Sequence, residues 1–331
     1  MKRVWKELAL AALMGLVMPA AALGIAVSSQ PPDAVIEITT QPPPGAVPEV
    51  ITQPETQTAA PVTVPILVGR EVVQMELNEY LTGVVLGEMP ASFEPEAQKA
   101  QAVVARTYTM RAWKRGGRHE GAAVCTDSTC CQSYISPGDY LAAGGTQAGV
   151  DRIRSAVAST DAQVLTYQGE LIEATYFSCS GGVTEDAAAV WGAEYPYLRS
   201  VSSPGEENAA HYQDTEVFTA SRFEAALGRD LPGDPGSWFG VTTYTTGGGV
   251  ATMEIGGQAY KGTALRSMLG LRSTAFTVEA DIRCVTITTR GYGHRVGMSQ
   301  YGADAMAVLG SSYAQILAHY YQGTSLTTLE N

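Results

Sequence analysis

Positive charge is scarce in this chain. It carries 21 Lys and Arg against 33 Asp and Glu, a formal net charge of −12. Phosphate backbones are held by basic surfaces, so the balance argues against nucleic acid as a partner. It argues equally against peripheral binding to anionic lipid. A neutral glycan stays open. Charge of either sign is sparse, at 16% of residues, while glycine is frequent, with 35. That balance points away from a helical bundle and toward a loop-rich fold with substantial strand content. No internal repeat is evident.

Lys and Arg are absent altogether from residues 7–69. Ahead of that gap stand Lys2, Arg3 and Lys6, and behind them an uncharged run from Leu8 to Gln30. About 20 apolar residues span a bilayer. With the basic flank N-terminal, the remainder of the chain is expected outside the cell. The reading is residues 1–6 in the cytoplasm and 7–28 as a single transmembrane anchor. The alternative is a cleaved signal peptide, for which Ala20, Ala21 and Ala22 supply small residues. Residues 29–63 read as a linker, since nine of the 17 prolines fall between Pro31 and Pro65. Proline-rich tracts are extended and bury no core.

Residues 64–331 are expected to form an α+β domain. Helices and antiparallel strands mix in one large, loop-rich body, with two lobes around a cleft as a variant. Val64–Leu67 and Glu71–Leu77 read as a strand pair turning at Gly69-Arg70. Asn78 then reads as the N-cap of a helix from Glu79 to Gly87, broken by Met89-Pro90. Pro95 suits the first turn of a second helix, whose Ala97, Ala100, Val104 and Tyr108 recur at helical spacing and predict a buried face. Lys99 and Arg106, seven apart, share a face of it. Gly116-Gly117 ends it. Residues 118–146 look irregular. Gln147–Ser159 reads as a helix, and Val164–Tyr167 with Leu171–Phe177 as a hairpin through Gln168-Gly169. Phe218–Leu227 reads as a helix, residues 241–260 as strands, 263–269 as a helix and 276–289 as strand-rich. A Gly-rich loop then enters a helix, and Tyr313–Tyr321 closes the chain.

Glu88 is the last residue before the Met89-Pro90 break, behind Val84, Val85 and Leu86. A carboxylate in apolar surroundings is poorly solvated when charged, so its pKa rises and it can hold a proton near neutral pH. That is what a general acid needs. Taken alone, a single glutamate is more often a cap or an ion-pair partner, here for instance of Arg106. A second cluster, His119, Cys125, Cys130 and Cys131, has the spacing H-x5-C-x4-C-C. Thiolates and an imidazole in one loop suit tetrahedral zinc, in a structural role because four protein ligands leave no open position. A disulfide from Cys125 to Cys130 or Cys131 is the alternative in an oxidising compartment. Cys179, in Ser178-Cys179-Ser180-Gly181-Gly182, would need a base such as His294 to act as a nucleophile; Cys179 and Cys284 read more simply as buried thiols. Gly291-Tyr292-Gly293-His294-Arg295-Val296-Gly297 is not a dinucleotide fingerprint, because its spacing is G-x-G-x-x-x-G.

Three stretches together resemble one family. They are LNEYLTGVVLGEMPASFEPEAQKAQAVVARTYTMR, ATYFSCSGGVTEDAAAVWGAEYPYLRSVSSP and GYGHRVGMSQYGADAMAVLGSSYAQILAHYYQGT. They are similar to the stage II sporulation protein D (SpoIID) family, which includes the LytB-type amidase enhancers. The resemblance implies a membrane-anchored lytic transglycosylase of endospore formers, working in the septal space during engulfment. Its substrate would be peptidoglycan stripped of stem peptides, cut at the β-1,4 bond between N-acetylmuramic acid and N-acetylglucosamine. Implied partners are a SpoIIP-type amidase/endopeptidase and a SpoIIM-type membrane protein. Glu88 stands at the family's catalytic glutamate. Lys99, Arg106, Ser180, Gly181, Gly182, His294, Gln300 and Tyr301 match the family pattern and are implied substrate contacts. Some members bind zinc in the His119–Cys131 segment; Cys130 stands where they have His. Arg295 stands where the family usually has Gly, which alters the loop or adds a charge facing the glycan. One carboxylate suffices for such a reaction. Hydrolases usually need two, but here the muramic acid C6 hydroxyl replaces water and yields a 1,6-anhydro end. The other reading is a glycan-binding protein that activates an amidase without cutting.

Overall fold

A computed structural model describes residues 61–329. Residues 1–6, the expected anchor at 7–28 and all but the last residues of the expected linker at 29–63 lie outside them. No helix among the described residues is long and apolar enough to cross a membrane.

The fold is α+β. Thr63–Val68 and Glu71–Glu76 pair antiparallel, and Val124–Cys125 adds a parallel strand beside the first. Val64 and Ile66 point into the core while Val72 and Val73 stay exposed. The first helix, Leu77–Glu88, starts two residues earlier than the sequence suggests. Its cap is Glu76, not Asn78: the Glu76 carboxylate accepts from the amides of Asn78 and Glu79 at 2.9 and 2.8 Å. The strand runs straight into the helix, so the longer side chain reaches back over the first turn. Asn78 is left to bond Asp161 and Arg106.

Helix Pro95–Lys114 is the axis of the larger core. Expected to bury one face, it is buried on every side from Ala100 to Met110. Helices Leu77–Glu88, Gln147–Ser159, Gln300–Val308 and Tyr313–Tyr320 and strand Gln163–Tyr167 surround it. Two of the polar residues this encloses are bonded locally: Thr107 and Thr109 donate to carbonyls four residues back. That back-bonding hides polarity that a hydrophobicity pattern counts as surface. Gly116 and Gly117 then turn the chain at φ +95° and +89°.

The segment 118–146 is less irregular than expected, since it holds Val124–Cys125 and helix Pro137–Ala142. The hairpin turns at Gln168-Gly169, both at positive φ, as a two-residue turn demands. Its second arm is short. Glu170–Leu171 pairs back, the chain leaves the sheet, and Tyr176–Phe177 resumes as a parallel partner of Met298–Ser299.

A second apolar core lies within residues 218–287, built on Phe218, Phe223, Trp238, Leu265 and Ile287. Two antiparallel three-stranded sheets enclose it, Gln213–Thr219 with Cys284–Arg290 and Phe276–Ala280, and Phe239–Tyr244 with Val250–Ile255 and Gln258–Lys261. The helix read at Phe218–Leu227 begins at Ala220, because Phe218 lies in a strand that runs to Thr219, and Thr219 caps the helix.

Candidate active site and metal cluster

Glu88 is the last residue of its helix. Met89 is extended, at φ −134° and ψ 135°, the conformation that a following proline favours. The carboxylate therefore sits at the negative end of the helix dipole, beside buried Val85 and Met89. Burial pushes its pKa above 4.5, against the pull of three donors, the Ser133 amide, the Gln300 amide and the Tyr176 hydroxyl. The Ser133 amide donates to Oε1 at 2.6 Å, and Gln300 Nε2 donates to Oε2 at 3.3 Å. Tyr176 stands beside it.

Two hollows border Glu88. One, of about 620 Å³, is walled by Tyr176, Trp191, Tyr292, His294 and Gln300. The other, of about 670 Å³, is walled by Met89, Ser92, Tyr140, Thr146 and Arg152. Glu88 lines both. Exposed aromatic faces such as Trp191 suit sugar rings. The other carboxylate of the first hollow, Glu173, is ion-paired with Arg111.

The residues singled out by sequence divide into three groups. Gln300 reaches Glu88, and His294 lines the first hollow. Its ring packs between Phe177 and Trp191, at 5.7 and 5.3 Å. Burial, helped by Arg266, lowers its pKa to about 4, so it is neutral; its Nδ1 accepts from the Val296 amide.

A second group supports the wall. Ser180, Gly181 and Gly182 wrap a buried carboxylate, Glu206, which takes the Ser180 amide at 2.6 Å, Ser180 Oγ at 2.9 Å and the Gly181 amide at 3.2 Å. Gly181, at φ +74°, leaves no room for a Cβ against Arg290. The Cys179 thiol donates to the same carboxylate at 3.1 Å. Burial and the Glu206 charge push it up to about 12, so it is no nucleophile. Cys284, expected buried, is half-exposed. Tyr301 packs edge-on against Phe93 at 5.0 Å.

The third group is not at the site. Lys99 pairs with Glu96 at 2.7 Å. Arg106 is fully buried and donates to Val157 O, Thr160 O, Gln163 O and Asn78 Oδ1. It supplies the donors that the C-terminal end of helix Gln147–Ser159 lacks. Neither residue lines either hollow.

Arg295 also turns inward. It holds a positive φ of 64°, and its guanidinium donates to Ser180 O, Val183 O, Gly247 O and Glu185. It does not add a charge facing the hollow. Sequence reading missed Ser133, Tyr176 and Trp191. Ser133 acts through its backbone, which no side-chain motif encodes. Tyr176 and Trp191 sit inside the family-like stretch but look like ordinary core aromatics.

His119, Cys125, Cys130 and Cys131 come together, their ligand atoms all within 4.8 Å of one another. His119 Nε2 lies 3.4 Å from Cys131 Sγ and 3.6 Å from Cys130 Sγ, and the two sulfurs are 3.9 Å apart. A tetrahedral ion with bonds of about 2.3 Å to sulfur and about 2.0 Å to nitrogen requires S–S near 3.8 Å and S–N near 3.5 Å. The donor set therefore fits a metal ion. The three cysteines of the group form no disulfide.

Sequence comparison agrees with the three stretches. A family model described as SpoIID, stage II sporulation protein, matches residues 69–167. Stage II sporulation protein D of Bacillus subtilis (strain 168) is 41% identical over 280 residues, 82% of this chain and 81% of that one. Its Bacillus amyloliquefaciens counterpart is 39% identical over 282 residues, 83% and 82%. An amidase enhancer of Bacillus subtilis is 31% identical over 301 residues, covering 75% of this chain and 40% of the enhancer. With four-fifths of two such relatives matched end to end, the chain belongs to the stage II sporulation protein D family.

Proposed function

We propose that the protein is a membrane-anchored lytic transglycosylase that cuts peptide-stripped peptidoglycan between N-acetylmuramic acid and N-acetylglucosamine during engulfment. The observation that carries this reading is Glu88, a carboxyl of raised pKa that borders two hollows, while the other carboxylate lining the first of them, Glu173, is spent in an ion pair. One carboxyl suits this reaction. Protonated Glu88 gives its proton to the glycosidic oxygen and the bond breaks with oxocarbenium character. The muramic C6 hydroxyl then attacks the anomeric carbon and Glu88 takes back its proton, leaving a 1,6-anhydro end. Trp191, Tyr292 and neutral His294 offer apolar ring faces.

The metal of the His119–Cys131 group is proposed to be a structural zinc, fixing the loop that carries Ser133. Residues 7–28 are proposed as the anchor, 29–63 as the spacer, and the septal space as the location. A SpoIIP-type amidase/endopeptidase and a SpoIIM-type membrane protein are the proposed partners. The relative described as an amidase enhancer favours a second reading, in which the protein binds glycan and stimulates an amidase without cutting. Glu88→Gln separates them. The lytic reading expects normal folding and no fragments released from denuded strands; undiminished release, or stimulation of an amidase with wild-type strand length unchanged, contradicts it.

A further inference from the structure

Each hollow bordering Glu88 holds one arginine, Arg118 in the first and Arg152 in the second. The chain is short of positive charge, yet neither arginine enters an ion pair among the described residues. Arg118 stacks over the Tyr108 ring at 5.5 Å and shares the first hollow with Cys130 and Cys131. Three thiolates around a divalent ion leave a net negative charge, so Arg118 has a counter-charge in its own wall. Arg152 has none. It stands exposed on helix Gln147–Ser159, rooted between buried Val150 and Ile153. The acid before it, Asp151, is bonded by Gln147 Nε2 at 2.8 Å, and Glu79 is taken by Arg154 at 3.3 Å. The second hollow is otherwise walled by uncharged residues such as Met89, Pro90, Ser92, Tyr140 and Thr146.

When Glu88 holds its proton, Arg152 is therefore the only charged side chain among the described residues lining this hollow. A guanidinium with free donors fits an anion, and its planar fork matches a carboxylate. The glycan proposed for these hollows has one such group. N-Acetylglucosamine is neutral, while N-acetylmuramic acid bears a lactyl ether. Under a stem peptide the lactyl carboxyl is an amide and carries no charge. Without the peptide it is a free carboxylate, one per disaccharide, and the only charge on the strand. Lys99 and Arg106, which line neither hollow, are not placed to meet it.

We propose that Arg152 binds a free lactyl carboxylate in the second hollow and so selects glycan stripped of its stem peptides. This rests on the reading of the hollows as a glycan site, but not on the strand being cut there. Glu88 and Arg152 divide the work: one acts on the glycosidic bond, the other recognises a muramic residue by the charge that peptide removal exposes. A residue still carrying its peptide offers Arg152 no charge.

The test is a binding comparison in full-length protein carrying Glu88→Gln, so that glycan is held and not cut, read by isothermal titration calorimetry. One probe is a peptide-free peptidoglycan oligosaccharide; the other is the same oligosaccharide with its lactyl carboxyls converted to methyl amides. With Arg152 present, the acid is expected to bind about tenfold more tightly than the amide. In Arg152→Gln, which keeps a good helix former at an exposed position, the acid is expected to weaken to the level of the amide, with amide affinity and melting temperature unchanged. Arg152→Lys keeps the charge without the fork and is expected to fall between. A preference for the acid that survives Arg152→Gln overturns the proposal, as does no preference with Arg152 present. A preference lost in Arg118→Gln and kept in Arg152→Gln moves the recognition to the first hollow and overturns it too, and an equal loss of both probes in Arg152→Gln makes the arginine structural. If neither probe binds at all, the glycan reading falls and the proposal with it. If the wild-type protein binds glycan but releases no fragments, the lytic reading fails alone while the acid-against-amide comparison still decides the role of Arg152.

Discussion

The amide of Ser133 donates to Glu88 Oε1 at 2.6 Å, and Ser133 is two residues from Cys131 in the metal-ligand group. One loop thus joins the cluster to the carboxyl. Removing the metal should loosen the loop and release this contact. Groups that orient a functional site typically cost 10–100-fold when lost. Treatment with a strong chelator, or His119→Ala, is expected to reduce glycan release by about tenfold or more and to lower the melting temperature. Metal analysis of anaerobically purified protein should give near one zinc per chain. A metal-free protein with full activity would leave the loop without this role.

Glu88 should weaken the fold at neutral pH. Its folded-state pKa is raised by burial, so the folded protein favours the protonated form. The associated stability is present below the unfolded value and is lost as pH rises through the folded one. Above that point an ionised carboxylate is held in an apolar setting. Glu88→Gln is therefore expected to melt higher than wild type at pH 7, with the gain shrinking toward pH 4.5 and below. Thermal melts across that range check it; equal melting temperatures at pH 7 would mean that Glu88 is well solvated.

Arg295 and Glu185 form an ion pair whose side chains are 3% and 0% exposed. Glu185 also accepts from the Gly249 amide and Thr245 Oγ1. A Cβ on Gly247 or Gly249 would collide with its carboxylate. Breaking one side of such a pair leaves a buried charge uncompensated, at a cost of about 3–5 kcal/mol. Glu185→Gln is expected to lower unfolding free energy by that order, measured by denaturant titration. A change below about 1 kcal/mol would place the pair on the level of a surface contact.

Cys179 is buried beside Glu206, with its thiol pushed up to about 12. At neutral pH it is a hydrogen-bond donor and no thiolate. Native protein should leave Cys179 unalkylated by iodoacetamide, as read by peptide mass spectrometry, and Cys179→Ser should retain glycan release. Rapid alkylation of Cys179 with loss of activity would return the cysteine to the chemistry.

Much of this architecture was legible from residue patterns. Helix Gln147–Ser159 falls on its expected bounds, and the hairpin turns where Gln168-Gly169 indicates. The four metal-ligand candidates meet because they lie within one loop, where spacing limits how far apart they can be. Longer-range relations were less legible. Lys99 and Arg106 share a helix with the right spacing, but which way that helix turns depends on neighbours 50 residues away. Arg106 is drawn to the free carbonyls of Val157 and Thr160. Strand Gln213–Thr219 was missed because only Phe218 of its residues is buried, so it shows no alternation. Ser133 reaches Glu88 through a backbone amide, which leaves no motif.

The central claim is that Glu88 works without a water nucleophile. Mass spectrometry of the products from denuded peptidoglycan tests it most directly. The account predicts fragments ending in 1,6-anhydro-N-acetylmuramic acid, absent with Glu88→Gln. Fragments with hydrated reducing ends would show hydrolysis and contradict it.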